Sequence, residues 1–399
     1  MMHNYRQVTE DIFNLGANDR RITMFENSHP VPRGMSYNSY LILDEKTVLM
    51  DAVDRAVADQ FWENLQAALG GRPLDYLVVQ HMEPDHCSQI PNLIQKYPEM
   101  KVVGNKKTFQ MINQFYDVDL EGHMLEVKEG DVLESGKHKL TFFMAPMVHW
   151  PEVMMSYDSH SKIFFSADAF GTFGPIDGRQ FADQYGFEDE YLPEARRYYT
   201  SIVGKYGRNV LSLFDKISGL DIQMICPLHG PIWRKDLGII LDKYQKWASY
   251  TPEERGVVIA FGSVYGNTAL AAEILANKLA EAGEEKIVVH DVSSADPSEI
   301  LADCFKYDRM IFASSTFNAE LFPHMESALL DLKAHNLTNR TVALVENGSW
   351  ALSAGKKMRE IFESMKGITI LDESHSIKSA VKDGDLESLD AIVKAILAA

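Results

Sequence analysis

The six-residue run His81-Met82-Glu83-Pro84-Asp85-His86 puts two imidazoles and two carboxylates into one short turn of chain. Groups of this kind, so close together, repel one another or compete for water unless a cation sits among them. Three more residues with ligand chemistry, His149, Asp168 and His229, stand singly further along, each shortly after an apolar stretch. A lone histidine is ordinarily a plain surface or core residue, so the weight falls on the joint pattern. Seven such groups are too many for one small ion, and the pattern predicts a pair of cations.

A second cluster of reactive types begins at Phe261-Gly262-Ser263-Val264-Tyr265-Gly266-Asn267-Thr268. Small and hydroxyl residues between a strand and a helix expose several backbone N–H groups to an anion, and the helix dipole adds to the attraction. The loop has neither the Gly-x-x-x-x-Gly-Lys of a nucleoside triphosphate site nor the Gly-x-Gly-x-x-Gly of a dinucleotide site, so a monophosphate is the expected guest. Ser314-Ser315-Thr316-Phe317-Asn318 and Glu346-Asn347-Gly348-Ser349-Trp350 follow two later strands of the same region and are candidates for the rest of that ligand site.

Positioning these groups requires strands that end near one another. Apolar runs at Tyr40-Leu43, Val48-Met50, Leu77-Val79, Val102-Val103, Leu140-Met144, Ile163-Phe165 and Ile222-Ile225 have strand length, and helical periodicity marks Ala56-Leu69, Ser88-Lys96, Thr108-Phe115, Glu194-Ile217 and Leu237-Ala248. His81, His149, Asp168 and His229 each lie just beyond one of these strands, where loops converge on a sheet edge. The pattern breaks at the polar stretch Tyr250-Thr251-Pro252-Glu253-Glu254-Arg255-Gly256. Strand and helix then alternate from Val257-Phe261 to Asp385-Leu397, predicting a five-stranded doubly wound parallel sheet. Two domains are expected, 1–250 and 251–399.

The 399 residues are 46% hydrophobic and 24% charged, ordinary for a globular protein able to bury sizeable cores. A formal charge of -18 disfavours nucleic acid and anionic membrane as partners. No segment reaches the roughly 20 apolar residues of a membrane span, and Met1 to Phe13 has no apolar signal core, so a cytoplasmic location is expected. Cys87, Cys226 and Cys304 are far apart, which excludes a disulfide framework and a four-cysteine iron centre.

The ligand pattern resembles the metallo-β-lactamase fold, an αβ/βα sandwich whose usual signature is His-x-His-x-Asp-His followed by His, Asp and His. Glu83 stands where the second histidine is usual. A harder, anionic oxygen ligand favours a cation stabilised in a higher oxidation state, such as iron, over zinc. Three carboxylates come close to neutralising a diferrous pair and still support a diferric one, so redox chemistry becomes accessible. By carry-over from that fold, His81, Glu83 and His149 hold one metal, Asp85, His86 and His229 the other, and Asp168 bridges them at a separation of roughly 3.5 Å. The loop at 263–268 resembles the Ser/Thr-x-Tyr/Thr-Gly-Asn-Thr loop of flavodoxins, and the two later loops match where flavodoxins grip the isoalloxazine ring, with Trp350 as a flanking wall.

Together, in this order, the two halves resemble the flavodiiron protein family, a resemblance that also covers Tyr37-Asn38-Ser39-Tyr40-Leu41 and His149-Trp150-Pro151. It implies two bridged irons and FMN, and reduction of dioxygen to water, of nitric oxide to nitrous oxide, or of both. It further implies a head-to-tail homodimer, alone or paired into a homotetramer, and an external electron donor such as rubredoxin or a reduced deazaflavin. In some relatives a histidine and a tyrosine line the substrate pocket; Phe25 lies near the first place, and Tyr191, Tyr198 and Tyr199 are candidates for the second. No residue beyond the metal ligands is assigned as catalytic. Two rival readings are a dizinc hydrolase whose flavodoxin-like region only mediates interactions, and an electron carrier whose metal domain is a structural platform.

Overall fold

The computed structural model describes residues 3–399. By contact it divides into one unit of residues up to Tyr199 with Arg208–Tyr244, and a second of Thr200–Gly207 with Gln245–Ala399.

The first unit is built on two sheets. Strands β1 (Arg6–Gln7), β2 (Ile12–Asn14), β3 (Tyr40–Leu43), β4 (Thr47–Met50), β5 (Tyr76–Val78), β6 (Lys101–Gly104) and β7 (Met124–Glu126) lie side by side in chain order. The ladder is antiparallel as far as β4 and parallel from there to β7. Parallel neighbours need a crossover, and the helices Ala58–Leu69 and Lys106–Phe115 supply two of them. The second sheet runs β8 (Val132–Glu134), β9 (Lys139–Met144), β10 (Met154–Asp158), β11 (Ile163–Phe165) and β12 (Met224–Cys226), parallel only at its last pair.

Ile42, Val48, Met50, Val78 and Val103 of the first sheet share one buried cluster with Leu140, Phe142, Met154, Ile163 and Phe165 of the second. The sheets therefore pack face to face, with helices outside them, as the αβ/βα sandwich expectation requires. In the second unit β13 (Glu254–Gly262), β14 (Ile287–Asp291), β15 (Tyr307–Phe317), β16 (Arg340–Asn347) and β17 (Ile368–Ile377) form a parallel sheet in the order β14-β13-β15-β16-β17. This is the doubly wound flavodoxin order. A two-residue strand, Glu320–Leu321, adds an antiparallel pair to the end of β15.

Two expectations are corrected. The single helix over 194–217 is instead four pieces, Leu192–Tyr198, a π-helical Tyr199–Val203, a 3-10 turn at Gly204–Tyr206 and Gly207–Ile217. Gly207 is needed there because a Cβ would stand 2.2 Å from the carbonyl oxygen of Ala248, and glycine also weakens a helix interior. Strand β10 went unseen in the sequence. All five of its residues are buried, so it lacks the polar alternation that marks a half-exposed strand.

A charged clamp closes one side of the sandwich. His138, fully buried, donates through Nδ1 to Asp158 at 2.7 Å and through Nε2 to Asp11 at 3.1 Å. Burial opposes protonation of His138, but the two carboxylates outweigh it and raise its pKa. Burial likewise works against Asp11, yet Lys137 and His138 hold it at about 2. The raised imidazole contributes stability that is complete below its ordinary value of about 6.5 and is lost as pH climbs through the raised value. The lowered carboxylates contribute above about 4 and lose that contribution as pH falls through their folded values. His138→Leu should cost about 3 kcal/mol, since it leaves a buried carboxylate unpaired. Urea unfolding should show the deficit near pH 6 and a smaller one well above neutrality; an equal deficit at both would remove the charged clamp.

Candidate functional site

The ligand turn starts where β5 ends. Pro84 sits at the first position of the short helix Pro84–Cys87, where its missing N–H costs nothing. Met50 is followed by Asp51, whose φ of 53° lies in the left-handed region. The Asp51 carboxylate accepts from the Gln80 backbone N–H at 2.8 Å, the Gln80 amide at 3.1 Å and the His81 N–H at 3.2 Å. It thereby fixes the start of the turn, and burial pushes its pKa up to about 6. Asn38 does the same for the last ligand loop, donating to the carbonyls of Pro227 and Gly230 at 2.9 Å each, while the Tyr40 hydroxyl donates to Pro227 at 2.7 Å. Ala167 and Phe170, on either side of Asp168, both have positive φ. Such strain persists only where the surroundings over-determine it.

All seven predicted ligands are buried and converge. Around the first group, His81 Nε2 lies 3.2 Å from His149 Nε2, 3.3 Å from Glu83 Oε2 and 3.3 Å from Asp168 Oδ2. His149 Nε2 lies 3.0 Å from both of those carboxylate oxygens. Around the second, His86 Nε2 lies 3.1 Å from His229 Nε2, 3.2 Å from Asp85 Oδ2 and 3.1 Å from Asp168 Oδ1. His229 Nε2 is 3.3 Å from Asp85 Oδ2 and 3.7 Å from Asp168 Oδ1. The five edges known in each set run from 3.0 to 3.7 Å, the spacing expected of ligand atoms that share one centre at about 2 Å, the length of a metal–nitrogen or metal–oxygen bond. Asp168 gives one oxygen to each set.

Electrostatics point the same way. With protons as the only counter-charge, burial disfavours charge on every member, yet Asp85 and Asp168 push His86 up to about 9 and Asp168 with Glu83 push His149 equally high. His81 rises well above its ordinary value against the same burial. Glu83 and Asp168 are held far below the usual carboxylate range by the imidazoles although burial works the other way. Both oxygens of Asp85, and Oδ1 of Asp168, accept no hydrogen bond from any described residue. Uncompensated buried carboxylates are costly, and cations at the two centres would satisfy all of them.

Residues the sequence did not assign complete the surroundings. Glu152 accepts from His81 Nδ1 and from the Met82 N–H, both at 2.8 Å. Glu26, with 34% of its side chain exposed, is pushed up to about 8 by burial and by its contact with Glu83. Phe25, Tyr37 and Tyr198 stand ring to ring with His229 at centroid distances of 5.5 to 5.6 Å. Of the three candidate tyrosines, Tyr198 comes to the site; the Tyr191 hydroxyl donates to Pro175 and the Tyr199 ring packs on Tyr244. Glu152 follows the recognised His149-Trp150-Pro151 and Glu26 follows Phe25, which the resemblance already places near the pocket, so both carboxylates were open to notice.

In the second unit a cavity of about 270 Å³ opens at the ends of β13, β15 and β16. Ser263, Val264, Tyr265, Asn267 and Thr268 line one side, Ser315, Thr316, Phe317 and Asn318 another, and Asn347, Gly348, Ser349 and Trp350 a third. Gly266 and Ser314 do not line it: Gly266 supplies the φ of 91° that turns the loop into its helix, and Ser314 is fully buried. Gly348 permits a close pass, since a Cβ would stand 1.9 Å from the Ala351 carbonyl oxygen. Ser379, unassigned in the sequence, also lines the cavity and donates to Ser349 at 2.9 Å. Tyr265 and Trp350 are 93% and 81% exposed, leaving two aromatic faces at the rim for a planar ring.

Such an arrangement defines a two-part protein, a metallo-β-lactamase-like sandwich with a convergent histidine–carboxylate cluster followed by a flavodoxin fold. Residues 35–230 match the family model described as ODP family beta lactamase, and 259–391 match the flavodoxin model. An anaerobic nitric oxide reductase flavorubredoxin of Escherichia coli is 30% identical over 354 residues, 86% of this chain and 72% of that one. Rubredoxin oxygen:oxidoreductase from Desulfovibrio gigas is similar in structure, with a TM-score of 0.92, 25% identity and 98% of each chain covered. A substituted flavo di-iron protein from Thermotoga maritima gives 0.90 at 27% identity over 99% of this chain and 98% of that one. The chain belongs to the flavodiiron protein family.

Asp168→Asn should release the cations of both groups, because each set of four loses an anionic corner. Metal content by emission spectrometry should fall from two per chain to well under one; a variant that retains both would show that Asp168 is not shared.

Proposed function

We propose that this protein reduces dioxygen to water, nitric oxide to nitrous oxide, or both, at two irons held by His81, Glu83 and His149, by Asp85, His86 and His229, and by Asp168 between them. The observation that carries the reading is the pair of four-cornered donor sets sharing Asp168, with Glu83 adding an anionic oxygen, on the same chain as a flavodoxin cavity. FMN would lie along Ser263–Thr268, Ser314–Asn318 and Asn347–Trp350, and the metal chemistry would belong to residues 1–250, the flavin to 251–399. Loaded, the irons supply open positions for a small gas and the flavin supplies electrons one or two at a time. Four electrons and four protons convert dioxygen to two waters; two electrons and two protons convert two nitric oxides to nitrous oxide and water.

The chain's own residues then do four things. Imidazoles and carboxylates fix the spacing of the two centres, and the three carboxylates balance their charge. Asp51 and Asn38 hold the turns that carry the ligands. Phe25, Tyr37 and Tyr198 wall His229 with aromatic carbon, which excludes bulk water and leaves a surface suited to an uncharged diatomic molecule. The Tyr198 hydroxyl, buried and accepting no partner among the described residues, is placed to donate into the site.

Electrons come from an external donor, most simply a rubredoxin, with a reduced deazaflavin as the other class. The exposed Tyr265 and Trp350 at the cavity rim favour a partner surface there, and we assign it to a second copy in a head-to-tail homodimer, whether or not two such dimers pair. Among the described residues no helix is long and apolar enough to cross a membrane; we place the protein in the cytoplasm, and its formal charge of -18 disfavours nucleic acid and anionic membrane as partners.

Purified protein should hold two irons and one FMN per chain and, given a chemical reductant, should consume dioxygen or nitric oxide under electrode. Running both gases with one reductant ranks them. Glu83→Ala should lower turnover at least about 100-fold, as loss of a ligand exceeds the 10- to 100-fold typical of an outer partner. Two zincs, no flavin, and hydrolysis of a thioester without gas uptake would replace the reading with the hydrolase.

A further inference from the structure

Each donor set offers two imidazoles, one carboxylate of its own and one oxygen of Asp168. The direct ligands therefore give the two centres equal charge. What breaks the equality lies behind them. His81 Nδ1 donates at 2.8 Å to Oε1 of Glu152, a carboxylate that is 1% exposed, whose same oxygen also takes the Met82 N–H. On the other side His229 Nδ1 donates at 2.7 Å to the neutral backbone carbonyl of Ser36, and His86 Nδ1 has no hydrogen-bond partner among the described residues. Among the described residues one buried carboxylate thus accepts directly from a ligand imidazole on one side only; Asp51, also buried, acts on His86 through space and spends its hydrogen bonds on Gln80 and the His81 backbone.

We propose, building on the diiron reading above, that Glu152 makes the two irons inequivalent, so that the first electron settles on the iron of Asp85, His86 and His229. A carboxylate hydrogen-bonded to the far nitrogen of an imidazole fixes its tautomer, makes the metal-facing nitrogen a stronger donor and favours the more oxidised metal. With little water to screen it, that preference is felt in full at the iron of His81. Glu152 is a positioning residue: it touches neither gas nor metal and acts through His81. Its own place is fixed by Asn105, whose side-chain amide donates to the Glu152 carbonyl at 2.6 Å. Half reduction would then be an ordered state, ferrous on one side and ferric on the other, rather than a mixture.

The test is an anaerobic potentiometric titration of the diiron holoprotein, following the electron paramagnetic resonance signal of the one-electron-reduced pair. Glu152→Gln keeps an oxygen to accept from His81 and Met82 but removes the charge. The potential window over which the half-reduced signal persists should narrow by about 59 mV for each tenfold fall in its stability against disproportionation, and at least one such tenfold fall is expected. An unchanged window with both irons retained would overturn the assignment. The substituted amide nitrogen would replace Oε2, which has no partner among the described residues, so the variant can misfold; a second readout then uses the wild-type protein. In crystals reduced by one electron, bonds should lengthen first at the iron of Asp85, His86 and His229, and lengthening first at the iron of His81 overturns the proposal. Iron analysis of the same preparations keeps the two failures apart: no iron pair at all defeats the diiron reading, whereas a full pair with an unshifted window defeats this inference alone.

Discussion

One carboxylate holds the metal-binding half together. Asp168 places Oδ2 against His81 and His149 and Oδ1 against His86, so the two donor sets cannot be spaced independently. Every other feature of the sandwich serves that constraint, because the ligands arrive on four separate loops that must agree to within fractions of an ångström. The face-to-face sheets supply a rigid frame, and the loops at their ends are tied to one another rather than to solvent. Strain at Ala167 and Phe170, with the Phe170 N–H donating to the Tyr244 hydroxyl at 2.6 Å, is the local cost of aiming Asp168 between the two sets.

Polar anchors, not apolar packing, set that agreement. Asp51 grips Gln80 and His81, Asn38 grips the loop before and after His229, and Glu152 grips His81 from behind. Each is buried and each makes hydrogen bonds to groups that would otherwise be unsatisfied, so removing one leaves a neighbour's donor or acceptor stranded. Such anchors cost stability when half satisfied and give specificity when complete. The site is therefore coupled to its supports: a change at Asn38 or Asp51 moves a ligand without touching a metal.

How much of this could be read from the sequence follows from what each signal is made of. The seven ligands were legible because their types are chemically costly together and fall just after apolar runs. The five strands of the second unit were legible because buried parallel strands alternate with helices in a regular rhythm, as in Val257-Phe261 and Met310-Ala313. Strand β10 was not, since Met154–Asp158 is buried on both faces and shows no period. The breaks within 192–217 were hidden because apolar periodicity continues across them, while the reason for Gly207 lies 41 positions away at Ala248. Asn38 was noted only as part of a family segment; its partners, Pro227 and Gly230, are distant in sequence, and no local pattern encodes a hydrogen bond of that span. Gly266 and Ser314 were placed in the right loops but serve the turn and the interior, because a loop motif does not say which of its residues face the cavity.

Selectivity between two gases has to come from beyond the direct ligands, since dioxygen and nitric oxide are both small, uncharged and able to bind a reduced metal. Around His229 the wall is aromatic, formed by Phe25, Tyr37 and Tyr198 with Phe173 against Phe25 at 5.7 Å. Carbon surface of that kind treats both gases alike. The polar exceptions differ by side: the Tyr198 hydroxyl faces the carboxylates from the His229 wall, and Glu26 meets Glu83 at the edge of the other set. Reducing dioxygen to water calls for four protons and breaks the only bond of the substrate, whereas coupling two nitric oxides calls for two protons, makes a nitrogen–nitrogen bond and breaks one nitrogen–oxygen bond, whose oxygen leaves as water. Proton-bearing groups beside the centre therefore weigh more heavily on the first reaction than on the second, and Tyr198 and Glu26 are the two such groups that stand against the carboxylates of the cluster.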